Sequence, residues 1–518
     1  MAHYERIKQM KILTTAQMRE LDRAGIDQGL PLMENAGAAV ARFVRDEFPG
    51  ARRIQVVCGK GNNGGDGRVA AQRLREAGND VEVIDAASDF QLTAGLVVDA
   101  VLGSGFHPPV QGAYAAAIKK INQSNCKVVA VDVPSGTDAD QGHPQEGAAR
   151  ADAVITFTAP QAAHIFANLT RGPIAVAEIG IPREALAGIM TDLEVLTPAG
   201  FSGVLQPREP DSNKGTYGHV LIIGGARGKA GAPAMAAMAA LRAGAGLVTV
   251  AVPQSVQATV SGFAPEVMTE ALAETDAGSI ALNALDYGRL ESLLAGKNVI
   301  AIGPGMGRHP ETAEFVRMLL QRLNESRFQK SSLRIVLDAD GLNAFESHPA
   351  LMQAGSLPLV LTPHPGEMAR LTGSTVQQIQ KDRVSIARNF SDDHHCTVVL
   401  KGNRTIICFP KAPAGDTVGP RAWVNTTGNP GMATGGAGDI LTGIAAGLLA
   451  QAAGSAASLA EASKAAVFLH GRAGDLAARE WGEASLVATD LLVTLPEAFA
   501  TARRSLNSAI IYLQRGAI

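Results

Sequence analysis

Asn425–Gly443 reads NTTGNPGMATGGAGDILTG, and this stretch decides how the second half of the chain folds. Its glycines run into an apolar, helix-forming segment at Gly438–Asp439. Because glycine has no Cβ, the N–H groups of such a loop can close on an anion, which the helix dipole also favours. An anion would repel Asp439, so this carboxylate indicates a base directed at a hydroxyl group. The dipole equally favours an acidic residue that only begins a helix, and the isolated motif leaves both interpretations open.

The composition is that of a globular chain with more than one core. Its 518 residues exceed what a single hydrophobic core usually serves, which predicts two domains. The formal charge of −3 gives no electrostatic reason to bind nucleic acid or an anionic membrane. The N-terminus lacks a signal-peptide pattern, no apolar run is long enough to span a bilayer, and the four cysteines are widely separated. A cytoplasmic protein is therefore expected.

Short β-branched runs alternate with helical patterns in both halves, which predicts two α/β domains with doubly wound parallel sheets. The first half predicts strands at Ile54–Cys58, Val81–Ile84, Leu96–Val101, Val128–Val133, Ala153–Phe157 and Ile174–Ile179. The second half predicts strands at Val220–Ile223, Leu247–Val252, Val299–Ile302, Ile335–Leu337, Leu359–Leu361, Thr397–Leu400 and Thr405–Cys408. Loss of periodicity near 200–218 predicts domains at 1–205 and 206–500. Residues 501–518 fit a docking helix or a C-terminal tail.

In the first half, polar residues follow several predicted strands. Gly59–Gly67 reads GKGNNGGDG, whose paired amides can coordinate a cation or hydrogen-bond a ligand amide. Asp99, Asp132 and Ser135 also lie at or just beyond strand ends, and the carboxyl edge of an open α/β sheet is where ligands bind. Asp132 is the best-placed residue for proton transfer, with His107 and His164 as further possibilities. A single strand-end Asp is more often a turn or capping residue.

In the second half, rigid turns follow several predicted strands. They are GPGMG at 303–307, TPHPGE at 362–367 and KGNRT at 401–405. His364 is held between two prolines, which indicates that its direction matters. Lys401 with Gly402 fits a nucleotide phosphate, although a hairpin turn explains the motif as well. Asp338 and Asp340 fit a Mg²⁺ site reached through water, and a strand-end turn explains them equally.

Taken together, these motifs resemble a known family. GNNGGDG, LMENAG at 32–37 and VDVPSGTDAD at 131–140 are similar to the N-terminal epimerase domain of bifunctional NAD(P)H-hydrate repair enzymes. SNKGTYGHVLIIGG, LRAGAGLVTVAVP, GPGMG, TPHPGE, KGNRT and GNPGMATGGAGD resemble the ribokinase-like NAD(P)HX dehydratase domain of that family. The resemblance implies a Rossmann-like, three-layer αβα domain followed by a ribokinase-like α/β domain.

The resemblance also implies the activity and the molecules involved. The first domain would interconvert R and S forms of NADHX and NADPHX. The second would dehydrate the S form with ADP, giving AMP and phosphate. ADP rather than ATP is expected because the two-domain fusion resembles the bacterial type. K⁺ in the first domain, Mg²⁺ in the second and a homo-oligomer are further expectations.

The resemblance assigns residues to each role. The hydrate would bind in the first domain at Asn62, Asn63, Gly64, Gly65, Asp66, Gly103, Ser104, Gly105, Phe106, His107, Pro108 and Pro109. Asp132 would contact it as the acid/base, and K⁺ would be held by Asn63, Asp99 and Ser135. In the second domain the hydrate would touch Ala232, Gly305, His364 and Asp439, with Asp439 as the catalytic base. The nucleotide would bind Lys401, Gly402, Asn403, Arg404, Thr405 and Gly438.

These residue types suit the implied chemistry. Water is a poor leaving group, so phosphorylating the hydroxyl of the hydrate would let the ring nitrogen expel phosphate instead. The alternative is a ribokinase-like kinase of a vitamin precursor, with a non-catalytic binding domain at its N-terminus. Asp132 and the intact GNNGGDG loop argue against a non-catalytic first half.

Overall fold

The computed structural model describes residues 10–143, 146–286, 288–325, 333–353, 355–411, 421–452, 456–506, 508 and 510–515. The chain forms two compact units, Met1–Val195 with Asn507–Ile518, and Leu196–Leu506. The division at 195/196 therefore precedes the predicted boundary at 205/206. The segment Asn507–Ile518, at the end of the sequence, also belongs to the first unit.

The first unit is a parallel sheet with one antiparallel edge strand. Its strands are Met10–Lys11 (β1), Arg53–Cys58 (β2), Asp80–Asp85 (β3), Leu96–Ala100 (β4), Lys127–Val131 (β5), Ala153–Phe157 (β6), Ile174–Ala177 (β7), Leu193–Val195 (β8) and Ile510–Gln514 (β18). Its helices are Thr15–Asp27 (α1), Leu32–Glu47 (α2), Asn62–Glu76 (α3), Gly112–Gln123 (α4), Ala162–Phe166 (α5) and Arg183–Gly188 (α6). The sheet order is β18-β7-β6-β5-β4-β2-β3. β1 pairs antiparallel with β8 outside this seven-stranded order.

Alternate residues of these strands face two different cores. Val56 and Val98 pack with α2 and α3 on one face, whereas Val57 and Val97 pack with α4 on the other. Successive side chains of a strand point to opposite faces of the sheet. A sheet that is covered on both sides therefore requires strands that are apolar at nearly every position. The predicted three-layer αβα arrangement is confirmed.

The end of the chain differs from both sequence-based expectations. Residues 501–505 complete a helix, and β18 then pairs antiparallel with β7. The Tyr512 hydroxyl donates a hydrogen bond to Glu47 at 2.6 Å. The segment is thus an edge strand of the first sheet rather than a docking helix or a tail; residues 507, 509 and 516–518 lie outside the described part.

The second unit is built on a longer, mostly parallel sheet. Its strands are His219–Ile223 (β9), Leu247–Pro253 (β10), Met268–Leu272 (β11), Val299–Ile302 (β12), Arg334–Leu337 (β13), Leu359–Leu361 (β14), Thr397–Leu400 (β15), Ile406–Cys408 (β16) and Ala422–Val424 (β17). Its α-helices are Gly231–Arg242 (α7), Gln254–Ser261 (α8), Arg289–Leu294 (α9), Pro310–Leu323 (α10), Ala339–Asn343 (α11), Pro365–Thr372 (α12), Val376–Lys381 (α13), Arg383–Asp393 (α14), Ala437–Gln451 (α15), Ala456–Trp481 (α16) and Ala488–Ser505 (α17). Short 3₁₀ turns lie at Pro198–Leu205, Lys214–Tyr217, Leu282–Leu285, Pro349–Leu351 and Pro430–Met432.

Strands of this unit follow the order β17-β16-β15-β14-β13-β12-β9-β10-β11. Those from β9 to β15 pair in parallel, and β16 and β17 continue antiparallel. All strands predicted in both halves are present with small shifts at their ends. The predicted α/β class is therefore confirmed for both units, while β1, β8, β11, β17 and β18 were not predicted.

Small residues let two central helices of the second unit approach closely. A Cβ at Gly443 or Gly447 of α15 would overlap the backbone of α7 at Ala236 or Ala240. Such contacts bury the Ala-rich faces of both helices in one core with β9 and β10. None of the helices among the described residues is long and apolar enough to span a bilayer.

Candidate active sites

In the first unit, the strand order places two loops side by side. The chain runs from β2 outward to β3 and then returns to β4 on the other side of β2. Ligands of open α/β sheets bind at the carboxyl ends of strands where the order reverses in this way. The loops at this point are Gly59–Gly67 after β2 and Val101–Pro109 after β4. They contain Asn62–Asp66 and Gly103–Pro109, which were predicted to hold the substrate.

The glycines of the first loop are required by close packing. A Cβ at Gly64 would overlap the Gly59 carbonyl, and one at Gly65 would lie 2.6 Å from the Met33 side chain. Arg68 also binds the Gly59 carbonyl at 3.1 Å. The loop is therefore tightly folded onto the start of α3, and Asn62 stays exposed at the helix start.

Asp99 is buried and held by neutral donors. The Ser135 hydroxyl donates to its Oδ1 at 2.6 Å, and the Ser135 N–H donates to its Oδ2 at 2.9 Å. The Ser135 hydroxyl oxygen also accepts the Leu102 N–H at 2.8 Å. Burial raises the pKa of Asp99 against these hydrogen bonds. A nearby cation would stabilise the ionised form.

Asn63 has an amide group without a partner. The residue is 9% exposed, and neither its oxygen nor its nitrogen makes a hydrogen bond within the described structure. A Cβ at Gly103 would lie 3.2 Å from the Asn63 Cγ and 2.9 Å from the Asp132 Oδ2. An unsatisfied amide oxygen beside carboxylates suits a hard monovalent cation. The residues predicted to hold K⁺ therefore fit that ion chemically.

Asp132 is held from both its backbone and its side chain. It follows β5 with φ of 67°, and its oxygens accept the Ser104 N–H at 2.6 Å and the Thr156 hydroxyl at 3.0 Å. His164 Nε2 donates to the Asp132 carbonyl at 2.8 Å while its Nδ1 accepts a backbone N–H. Burial lowers the pKa of His164, so the ring stays neutral. It orients Asp132 rather than titrating itself.

Two further carboxylates surround Asp132. Burial and the Asp132 charge raise the pKa of Asp66 to about 8, and the same causes raise that of Asp22 to about 6. Asp22 was not among the predicted site residues, because it sits within α1, far from any glycine loop in sequence. Its helix reaches the second loop through Arg19, which donates to the Gly105 carbonyl at 2.9 Å. The sequence offered one signal for Asp22: it lies three residues after Arg19, which places both residues on the same side of α1.

The rest of the second loop is open to solvent on one side. Phe106 closes a turn by donating its N–H to the Gly103 carbonyl at 3.1 Å. The exposed members of the predicted set are Gly105, His107, Pro108 and Pro109. Gly103 and Ser104 of the second loop thus meet Asn63 and Asp132, whereas His107, Pro108 and Pro109 lie on the exposed part of that loop.

In the second unit, a cation lies among carboxylates. Lys401 Nζ is 2.7 Å from Asp338 Oδ1 and 3.8 Å from Glu367 Oε2. Burial lowers the pKa of Lys401, but the carboxylates outweigh it and the net shift is upward. Thr442 donates its hydroxyl to the other Asp338 oxygen at 2.5 Å. The amine is therefore charged and held in place by the ends of β13 and β15 and the start of α12.

Asp439 faces this cluster from the first turn of α15. Burial, followed by the negative charge of Asp338, raises the pKa of Asp439 to about 7, with Lys401 opposing. A Cβ at Gly438 would lie 3.5 Å from Lys401 Nζ. A carboxylate with a pKa near neutrality is suited to accept a proton from a hydroxyl. Gly436, with φ of 97°, supplies the left-handed turn that begins the helix.

His364 caps the helix α12 that carries Glu367. Its Nδ1 accepts the Gly366 N–H at 3.0 Å, and its Nε2 lies 3.3 Å from Glu367 Oε1. Burial and the nearby Lys401 lower its pKa. The fixed direction that the flanking prolines predicted for His364 is provided by this cap. Because the ring is half exposed, one side of it stays accessible.

Ala232 and Gly305 meet at the point where the second sheet reverses its order, between β9 and β12. A Cβ at Gly305 would lie 2.9 Å from the Ala232 Cβ, and the Gly225 N–H donates to the Pro304 carbonyl at 2.8 Å. The Gly307 N–H then donates to Asp340 at 2.8 Å. This links the GPGMG turn to the end of β13. The described residues hold no group of three or more His, Cys, Asp or Glu side chains arranged to bind a metal ion.

The KGNRT loop is shaped by two arginines. Arg383 donates to the carbonyls of Leu400, Lys401 and Asn403. Arg404 has φ of 58° and donates to the Thr426 carbonyl at 3.0 Å, which ties this loop to the start of the glycine stretch. The Thr405 hydroxyl donates to the Gly402 carbonyl, and Asn403 is exposed. The loop and Gly438 therefore border the same space.

Two α/β units, each with glycine turns and a raised-pKa carboxylate at the carboxyl edge of its sheet, define an enzyme with two separate sites. Residues 220–497 match the family model described as NAD(P)H-hydrate dehydratase, and 29–94 with 85–163 match that of the YjeF-related protein N-terminus. The chain belongs to the family of bifunctional NAD(P)H-hydrate repair enzymes.

Relatives of this family are similar over nearly their whole length. The bifunctional NAD(P)H-hydrate repair enzyme Nnr of Moorella thermoacetica is 40% identical, over 94% of this chain and 96% of its own. That of Escherichia coli K12 is 34% identical, over 90% and 88%. The crystal structure of an ADP/ATP-dependent NAD(P)H-hydrate dehydratase from Bacillus subtilis, co-crystallized with ATP/Mg²⁺, covers 60% of this chain and 98% of its own, with 29% identity and a TM-score of 0.48.

Proposed function

We propose that the first unit interconverts the R and S forms of NADHX and NADPHX, and that the second dehydrates the S form with ADP, giving AMP and phosphate. Family membership supports both activities. The observation that carries the ADP-dependent step is Asp439, a carboxylate with a pKa of about 7 directly after a glycine loop and beside Lys401.

In the second unit, the nucleotide would lie between the KGNRT loop and the glycine loop. Asp439 would take the proton of the hydroxyl of the hydrate as that oxygen bonds to the terminal phosphorus of ADP and AMP leaves. The ring nitrogen would then expel phosphate, and loss of a proton completes the reduced nicotinamide. Mg²⁺ would neutralise charge on the phosphates, and Asp338 and Asp340 would hold it through water, since the Asp338 oxygens already accept from Lys401 and Thr442.

The half-exposed face of His364 and the Ala232–Gly305 contact supply the remaining walls of the proposed hydrate site. His364 keeps a ring nitrogen near Glu367, and its lowered pKa leaves it neutral for hydrogen bonding. The lack of a side chain at Gly305 lets the GPGMG turn pack directly against Ala232 at the start of α7. We assign the hydrate to this side of Asp439 and the nucleotide to the Lys401 side.

In the first unit, Asp132 would transfer the proton that accompanies reversible loss of the hydroxyl or opening of the ring. His164 and the Ser104 N–H fix its direction, and Asn62–Asp66 with Gly103–Pro109 would hold the dinucleotide. K⁺ would supply positive charge beside Asn63, Asp99 and Ser135. The Asn63 amide without a partner and the buried Asp99 support this assignment.

The proposal is tested by assaying purified S and R hydrates separately, each with ADP and with ATP, while recovery of the reduced nicotinamide is followed. We expect direct conversion of the S form with ADP and conversion of the R form only through epimerisation. Accumulation of a phosphorylated product without recovered NADH would overturn the dehydratase assignment and favour the alternative of a ribokinase-like kinase. Conversion supported by ATP and not ADP would overturn the assigned nucleotide.

The proposed K⁺ site has its own test. Replacing K⁺ with choline should slow epimerisation, and Asn63→Leu should weaken activation by K⁺ by about tenfold or more, as for loss of a ligand group. Dehydration of the S form should be unaffected by Asn63→Leu. Equal epimerisation rates in both salts would contradict the site. The homo-oligomeric state and the cytoplasmic location stay predictions from sequence.

A further inference from the structure

The helix α16 contacts the glycine stretch at its beginning, middle and end. Its sequence at 470–475 is HGRAGD, a segment to which neither the sequence motifs nor the proposed function gives a role. The contacts come from side chains and from the backbone of a single turn and a half. The stretch that α16 holds in this way, 427–437, is called the glycine-loop arm below.

At the beginning of the arm, Asp475 binds the backbone directly. The Gly428 N–H donates to Asp475 Oδ1 at 3.1 Å and to Oδ2 at 3.2 Å. The Asn429 amide nitrogen donates to the same carboxylate at 3.3 Å, and the Asn429 oxygen accepts the Gly431 N–H at 3.0 Å. One carboxylate thereby orients two consecutive residues and the turn that follows them.

At the end of the arm, His470 binds the first residue of α15. Its Nε2 lies 2.8 Å from the Ala437 carbonyl. Because burial lowers the pKa of His470 to about 4, the ring is neutral and must carry its proton on Nε2 to donate to this oxygen. Ala437 is two residues before Asp439, so this bond fixes the turn from which the proposed base projects.

Between these ends, two glycines of α16 allow close contact. A Cβ at Gly471 would overlap Thr427, and one at Gly474 would overlap Met432. The Thr427 hydroxyl also donates to the Phe468 carbonyl at 3.0 Å. The arm thus lies directly on the backbone of α16.

We propose that Asp475 and His470 are positioning residues of the dehydratase site. From one helix they fix the two ends of the glycine-loop arm, so that its N–H groups meet the phosphates of the nucleotide while Asp439 meets the hydroxyl. This inference rests on the proposed ADP-dependent dehydration.

The two residues act at different ends, so they affect different kinetic constants. Loss of the Asp475 contacts loosens the N–H groups that hold the nucleotide, which raises the KM for ADP. Loss of the His470 contact loosens the turn that carries Asp439, which lowers kcat. Each change is expected to be about tenfold, the effect of one hydrogen bond to a charged or fixed buried group.

The experiment measures kcat and KM for ADP with the S hydrate in the full-length chain. The variants are Asp475→Ala and His470→Ala, with Asp475→Asn and His470→Gln as conservative partners. Asn keeps an oxygen for the Gly428 N–H and Gln keeps a donor for the Ala437 carbonyl, so both should recover most of the loss. Glu480→Gln, an acid-to-amide change at an exposed position of α16, should leave both constants unchanged.

The first unit provides a folding control within the same molecule, because R-to-S conversion should be unchanged in every variant. A kcat and a KM that change in the same proportion in both alanine variants, or no recovery in the conservative ones, would overturn the positioning roles. Wild-type chain that shows no ADP-dependent dehydration would instead overturn the proposed function. If an alanine variant does not fold, the conservative partner carries the same test through its smaller change in KM or kcat.

Discussion

The two candidate sites compensate their buried negative charge in different ways. In the second unit, Asp338, Glu367 and Asp439 are arranged around the ammonium group of Lys401. In the first unit, Asp99 is held by the neutral donors of Ser135, and Asp132 is flanked by further carboxylates instead of a cation. Burial of carboxylates is costly unless a positive charge or a proton compensates it.

This difference explains why the two sites need different partners. The second site carries its own cation, Lys401, which offsets part of the rise that burial and Asp338 cause in the pKa of Asp439. In the first site, burial and the charge of Asp132 raise the pKa of Asp66 to about 8 and that of Asp22 to about 6, which favours a proton on Asp66 at neutral pH. The proposed K⁺ would compensate the remaining negative charge. Four changes test the comparison.

The largest effect is expected from Asp439→Asn. The neighbouring carboxylates have other partners, because Asp338 and Glu367 are paired with Lys401 and Asp340 accepts the Gly307 N–H. Dehydration of the S hydrate should fall by about 10⁴-fold, at the upper end for a general base, whereas epimerisation should be unchanged. In the wild type the rate should fall as pH drops below about 7, because the carboxylate must be ionised to accept a proton. Dehydration within tenfold of wild type would exclude Asp439 as the base.

Removal of the internal cation should destabilise the second unit. Lys401→Met leaves Asp338 without its partner, which for a buried ion pair costs about 3 kcal/mol in free energy of unfolding. Both tryptophans, Trp423 and Trp481, lie in this unit, so tryptophan fluorescence during denaturation reports on it alone. Lys411→Met is the matched control.

That control removes an exposed amine that lies 3.9 Å from Asp392. Exposed pairs contribute little, so its cost should be below about 1 kcal/mol. Equal costs for the two lysine variants would show that the cluster does not depend on its cation. The second site would then not differ from the first in having its carboxylates stabilised by an internal cation.

A smaller loss is expected from Asp132→Asn. Asp22 and Asp66 remain beside the substrate crevice and can exchange protons in its place, so R-to-S conversion should fall by only about 10²-fold. ADP-dependent dehydration of the S form should be unchanged. Adding Asp66→Asn to this variant should lower conversion further. A loss as large as that of Asp439→Asn would show that the neighbouring carboxylates do not substitute.

The smallest effect is expected from Asp22→Asn. Removing one negative neighbour stabilises the ionised form of Asp66, so the pKa of Asp66 should fall from about 8 by less than about one unit. NMR titration of the Asp66 carboxyl measures this shift. Asp27→Asn changes an exposed acid on the same helix and should leave that pKa unchanged. An Asp66 pKa that does not respond to Asp22→Asn would show that the two carboxylates are not coupled.

The fold class and most strands could be predicted because local patterns determine them. Strands such as Ala153–Phe157 and Val299–Ile302 are β-branched, apolar and bounded by turn residues, and the structure has them with the predicted ends. Strand order could not be predicted, because it depends on tertiary pairing. Only the order shows that GNNGGDG and the Gly103–Pro109 loop share the reversal point of the first sheet.

Candidate site residues could be named from the sequence where they lie in glycine-rich motifs and not where they lie within helices. Asp22 in α1 and Asp475 in α16 are surrounded by ordinary helical sequence, and only the folded structure shows what they face. The partners of Lys401 could not be predicted from the sequence either. The motif indicated a cation for a phosphate, whereas the structure pairs that amine with Asp338 and Glu367.

The strand β18 makes the first unit discontinuous in sequence. Leu196–Leu506 is in effect an insertion into a domain whose edge strand comes from the end of the chain. Cutting the chain after Val195 would therefore leave β7 with unpaired N–H and C=O groups along its outer side. Such an exposed edge favours pairing with a strand of another molecule. A separately expressed first half would stay soluble best if Ser508–Arg515 were rejoined to it through a short linker. The linear order of the two units along the chain thus hides a nested architecture, in which the second unit lies between the two segments that form the first.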